Sequence, residues 1–225
     1  MLKILEQVLD FINDWSENDS ETTSYCRFES IMDHLFRGSG IRLADSETAS
    51  QVTKQKQKYN DIFYGPSVES ANIHGRKIDL LIKYGDDNVE ISSNEFKKRT
   101  VTPNLASCQQ YKNLRVNAAI LDSLQQQSPR KTIDGTVAMD WIDIVIIPES
   151  TADLAQFETT LDLLFCYFHF IVSRGQEAQA SLNQRKNLDR LCFLYDTTDS
   201  SLGPSNQHDI FFTPKTEHVL KKPKN

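Results

Sequence analysis

The segment from Gly75 to Lys97 constrains the fold of this chain more than any other. Gly75-Arg-Lys-Ile-Asp79-Leu-Leu-Ile82 reads as a strand, Tyr84-Gly-Asp-Asp-Asn88 supplies turn chemistry, and Val89-Glu-Ile-Ser-Ser-Asn-Glu95-Phe-Lys97 reads as a second strand. The pattern predicts a hairpin with strands over 77–83 and 89–98. Side chains alternate across a strand, so Glu95 and Lys97 share a face, and pairing of the strands brings Asp79 beside them. Two carboxylates and one ammonium then converge. Such a set can hold a divalent cation and activate a water against a phosphodiester.

Around the hairpin the periodicity changes. Leu2, Leu5, Val8, Leu9, Ile12 and Trp15 recur at helical spacing, which predicts an amphipathic N-terminal helix. The polar stretch 16–24 reads as a mobile linker. A second helix is expected over 24–37, stopped by Gly38-Ser-Gly40, and a third over 46–60, carrying Lys54, Lys56 and Lys58. After the hairpin, Pro103 suits the first turn of a helix over 103–125. The run Ile142, Ile144, Val145, Ile146, Ile147 predicts a buried strand over 137–147. A largely buried helix over 154–174 follows, then a short apolar strand over 191–195, an edge strand over 209–212 and a basic, disordered tail at 221–225. This order indicates a layered α/β domain on a central sheet.

Composition narrows the classes. At 225 residues, 39% hydrophobic and 25% charged, the chain suits one soluble globular domain. A net charge of −6 argues against a protein that coats DNA through bulk positive charge, while leaving room for a local basic groove. Cys26, Cys108, Cys166 and Cys192 form no C-x-x-C pair and the five histidines show no zinc spacing, so reduced thiols in an intracellular protein are expected. The charge-interrupted start is not a signal peptide, and the apolar run 161–172 is too short and too polar to span a bilayer.

The residues of the hairpin resemble the PD-(D/E)xK nuclease superfamily, which includes restriction endonucleases, Holliday junction resolvases and RecB-like nucleases. The resemblance covers about a third of the chain, from Gly75 to Ile147. It implies an αβββαβ core, the restriction-endonuclease-like fold, with a mixed central sheet flanked by helices. By position it implies Asp79, Glu95 and the backbone carbonyl of Phe96 as ligands of Mg²⁺ or Mn²⁺, and Lys97 as the catalytic lysine. Many members direct a glutamine at the site from the following helix, a place that Gln109-Gln110 fits. Gln110 shares a helix face with Leu114, Ala118 and Leu121, a polar group on an apolar stripe. Some families add a glutamate from the first core helix, for which Glu29 and Glu47 are candidates. The stretches Gly-Arg-Lys-Ile-Asp-Leu, Ser-Ser-Asn-Glu-Phe-Lys, Gln-Gln-Tyr-Lys-Asn-Leu-Arg and Ala-Met-Asp-Trp-Ile are also similar to a group of uncharacterised fungal proteins.

The implied activity is metal-dependent hydrolysis of phosphodiesters, DNA before RNA, with Lys98, Arg99, Lys112 and Arg115 as candidate phosphate contacts. The expected organisation is a helix and linker over 1–23, a nuclease-like domain over 24–215 and a tail over 216–225. The N-terminal helix is the candidate surface for pairing with a second copy. The competing expectation is a catalytically inactive module of the same fold that binds nucleic acid or protein. Taken singly, Glu95 and Lys97 read as a solvent-facing ion pair of small energetic weight.

Overall fold

A computed structural model describes residues 2–12, 14, 19–44, 48–64, 78–96, 102–127, 148 and 150–195. The expected strand over 137–147, the edge strand over 209–212, the tail, and the side chains of Glu47, Lys97, Lys98 and Arg99 lie outside these residues. The described elements are α1 (Leu2–Phe11), α2 (Glu21–Phe36), β1 (Ile41–Ala44), α3 (Gln51–Tyr64), β2 (Leu80–Tyr84), β3 (Val89–Asn94), α4 (Pro103–Gln127), a 3₁₀ turn (Thr151–Asp153) and α5 (Leu154–Tyr195). The chain is a mixed α/β protein, and among the described residues its three strands form one antiparallel sheet in the order β1-β2-β3.

Helix α2 starts three residues before the expected position. Ser20 caps it, its hydroxyl accepting from Thr23 N at 3.0 Å, and Asp19 pairs with Arg27 one turn inside. The expected division at 23/24 therefore falls within α2. Helix α1 packs on α2 with Ile4, Val8 and Ile12 buried, and an imidazole N–H of His34 donates to Gln7 Oε1 at 3.2 Å. This is the behaviour of a helix docked on its own domain.

Strand β1 was not anticipated. Four residues after Gly40 pair with β2 from Ile41 opposite Tyr84 to Ala44 opposite Leu81, which makes β2 the central strand. Leu80, Leu81 and Ile82 are accordingly inaccessible to solvent. Between β2 and β3 the ladder carries a bulge: Ile82 pairs with Ser92 and Lys83 with Glu90, leaving Ile91 as the extra residue. Glu90, rather than Ile91, then stands opposite Lys83.

Helix α5 crosses β2 and β3 and continues well past them. The sequence predicts a helix over 154–174 and a separate strand over 191–195. The structure instead has one helix of 42 residues, about 63 Å long at the usual rise. The physical reason lies in 176–190, which holds Ala, Gln, Glu, Leu, Lys and Arg without a proline, so helix propensity runs unbroken into Leu191. No helix among the described residues is long and apolar enough to cross a membrane. Helix α4 lies beside β3 and packs on α3, where Lys56 and Asp122 form an ion pair buried between the two helices.

Candidate functional site

The two expected carboxylates are carried where the strands come into contact at the open end of the hairpin. The last paired residues are Leu80 and Asn94, and Asp79 and Glu95 each lie one residue beyond that pair. The contact is tied by the backbone: Phe96 N donates to Asp79 Oδ2 at 2.8 Å. Phe96 is itself held by α2, its ring 5.2 Å from that of Tyr25 and 5.0 Å from that of Phe28. Glu29, half-buried, follows Phe28 on α2 and shares with Tyr25 and Phe28 the helix stripe that faces Phe96.

Gln110 does not occupy the place expected of it. It is exposed, as are its neighbours through Lys112, while Leu114, Ala118 and Leu121 are only half-buried. The face that α4 buries is rotated from the expected stripe by about one residue and carries Val116, Asn117, Ile120 and Leu124. Gln109 is half-buried, and so is Arg115. Among the described residues no three His, Cys, Asp or Glu side chains are grouped to hold a metal ion.

The polar group that α4 does direct at β3 is Asn117, 1% exposed. Its Nδ2 donates to Ser93 O at 2.9 Å, and its Oδ1 accepts from Ser93 N at 2.9 Å. One side-chain amide thus satisfies both backbone groups of Ser93, as a neighbouring strand would. Asn113, one turn earlier, accepts from Ser93 Oγ at 2.7 Å. On the other face, Asn94 Nδ2 donates to Tyr167 Oη of α5 at 3.2 Å. Burial pushes the Tyr167 hydroxyl up to about 12, held back by its bonds with Asn94 and Ser92. The three residues before Glu95 are therefore clamped from both sides. The signal was present in sequence as Asn113-x-x-x-Asn117 on a stripe with Val116, Ile120 and Leu124, a polar pair one turn apart on an apolar face.

At the opposite end of β3, Glu90 is buried and points into the N-terminus of α3. Its carboxylate accepts from Ser50 Oγ at 2.7 Å, from Gln51 N at 2.7 Å and from Val52 N at 3.4 Å. Ser50 in turn accepts from Thr53 N at 3.1 Å, completing the cap. In the β2–β3 turn, the Lys186 ammonium beside Asp87, with Gln179, holds that carboxyl below its ordinary value.

No family model matches this chain, and no curated protein or solved structure is detectably similar to it.

Proposed function

We propose that this chain is a metal-dependent nuclease built on the αβββαβ core, acting on DNA in preference to RNA. The observation that carries the reading is the hydrogen bond from Phe96 N to the Asp79 carboxylate, with Asp79 and Glu95 each one residue beyond the last pair of the hairpin. The order α2, β1, β2, β3, α4 supports it: one helix, three antiparallel strands and a helix, with α3 inserted between β1 and β2.

The donor set suits the ion. Mg²⁺ prefers oxygen ligands and commonly takes one or two protein carboxylates, its remaining places going to waters and substrate phosphate. In this reading Asp79, Glu95 and the Phe96 carbonyl hold the ion. When bound, it would lower the pKa of a water and neutralise charge on the scissile phosphate. Lys97 follows Glu95 by two residues, and its ammonium would orient the attacking water and stabilise the pentavalent transition state. Gln109 and Gln110 lie on α4, whose exposed Lys112 and half-buried Arg115, together with Lys98 and Arg99, would meet the phosphate backbone.

The test is cleavage of single- and double-stranded DNA and RNA by the purified chain with Mg²⁺ or Mn²⁺. Asp79→Ala and Lys97→Ala should each lower the rate by at least about a hundredfold. Failure of the wild type to cut any of these substrates would overturn the assignment.

One observation favours a second reading, an inactive module of the same fold that binds nucleic acid or protein. Among the described residues no third acidic group joins the pair. On that reading the chain retains binding without cleavage, and Asp79→Asn leaves Mn²⁺ titration unchanged.

A further inference from the structure

The last ladder pair among the described residues is Leu80 and Asn94, and Glu95 and Phe96 follow Asn94 directly. The residues immediately before Glu95 have their polar groups engaged. Ser93 is bonded through its amide, its carbonyl and its hydroxyl, all to α4. Asn117 adds a bond from Nδ2 to Ser93 Oγ at 2.8 Å and accepts from Ser92 Oγ at 3.3 Å. Asn94 is bonded to Tyr167 from α5. Two different helices therefore grip three consecutive residues of one strand, and the next residue is a proposed ligand.

Resting on the nuclease reading above, we propose that Asn117 and Tyr167 are positioning residues for the Asp79–Glu95 pair. They pin Ser93 and Asn94 so that Glu95 leaves the strand opposite Asp79 and Phe96 N stays within reach of the Asp79 carboxylate. The buried side-chain amide is suited to this task. It offers a donor and an acceptor in one plane, fixing both the height and the rotation of the strand at Ser93. A hydrophobic residue of equal size would fill the space but leave the Ser93 N–H and C=O unsatisfied, so the strand would move to find other partners. Tyr167 supplies the matching constraint on the opposite face. The chemistry being positioned is that of a divalent cation held by oxygen ligands, for which supporting partners commonly matter ten- to a hundredfold in affinity.

The experiment uses the full chain with Asn117→Asp and Tyr167→Phe, each keeping the native side-chain shape. Two quantities are measured: amide hydrogen exchange at Phe96 relative to the central-strand residue Ile82, and the Mn²⁺ dissociation constant by calorimetry. The expected result is Phe96 exchange faster by about tenfold with Ile82 unchanged, and Mn²⁺ binding weaker by about tenfold or more. Wild-type values of both quantities in the folded variants would overturn the proposal. So would equal acceleration at Phe96 and Ile82, which marks a loss of global stability alone. Asp79→Asn separates the two claims. If it abolishes Mn²⁺ binding while the clamp variants bind normally, the clamp is refuted and the nuclease reading stands. If the wild type binds no Mn²⁺, the metal site is refuted and the clamp's role at that site with it.

Discussion

A carboxylate removed from water needs donors close by, and Glu90 finds them at the start of a helix forty residues earlier in the chain. The arrangement couples two elements through one side chain, because the carboxylate satisfies α3 amides that the helix itself cannot pair. Glu90→Ala should lower the unfolding free energy by about 2–4 kcal/mol, since charge-assisted bonds are lost and the cap opens. Chemical denaturation measures this, and a loss under about 0.5 kcal/mol would contradict the role. Nothing adjacent to Glu90 announces it. In sequence it is one acid in a strand beside a turn, indistinguishable from a solvent-facing residue. The hairpin that carries Asp79 and Glu95 was legible because it depends only on two strands and the turn between them. Asn117 was harder, since its partner Ser93 depends on how α4 rotates about its own axis. A rotation of one residue moved the buried stripe away from Gln110.

Among the elements, α5 carries the tightest packing demand. A Cβ at Gly175 would lie 2.3 Å from Cδ2 of Tyr84 and 3.0 Å from its Cβ, so the helix can cross β2 at this height only with glycine there. Gly175→Ala gains helix propensity of about 1 kcal/mol but overpacks the crossing at a cost of about 1–3 kcal/mol, and the net expectation is a loss of up to about 2 kcal/mol. A thermal midpoint at or above that of the wild type would show that the ring moves aside freely. The same helix sets a pH limit. Tyr167 is raised from 10.0 to about 12 in the fold, so between those values the unfolded chain loses its proton first. The contribution is fully present below pH 10 and is lost as pH rises through about 12, a change of roughly 3 kcal/mol. Denaturation curves at pH 9 and 11.5 should therefore diverge more for the wild type than for Tyr167→Phe. Helix α5 also shows why element boundaries were misread. Leu191-Cys-Phe-Leu-Tyr195 is too short for periodicity to separate helix from strand, and the unbroken helix before it decides the outcome.

For the whole molecule, the alternation of helical and strand patterns was enough to reveal a mixed α/β class, and the hairpin was visible because its turn is local. Strand β1 was not, since four residues after a glycine pair carry too little pattern to distinguish them from a loop. Its existence depends on β2 offering a second edge. The bulge in β3 gives the molecule a further property: it tolerates changes of length unequally between its two paired strands. Deleting Ile91 would leave Glu90 opposite Lys83 and Ser92 opposite Ile82, turning an irregular ladder into a regular one. The cost is then that of one lost core side chain, about 2–4 kcal/mol. Deleting Leu81 from β2 instead would take a residue from the strand that has none to spare, leaving β3 with two unmatched residues or else reversing every side chain beyond the gap. Soluble expression of the two deletions distinguishes these outcomes, with the Ile91 deletion expected to fold and the Leu81 deletion not. Shortening, usually the harshest lesion a strand can suffer, is absorbed in β3 by the bulge and has no such outlet in β2.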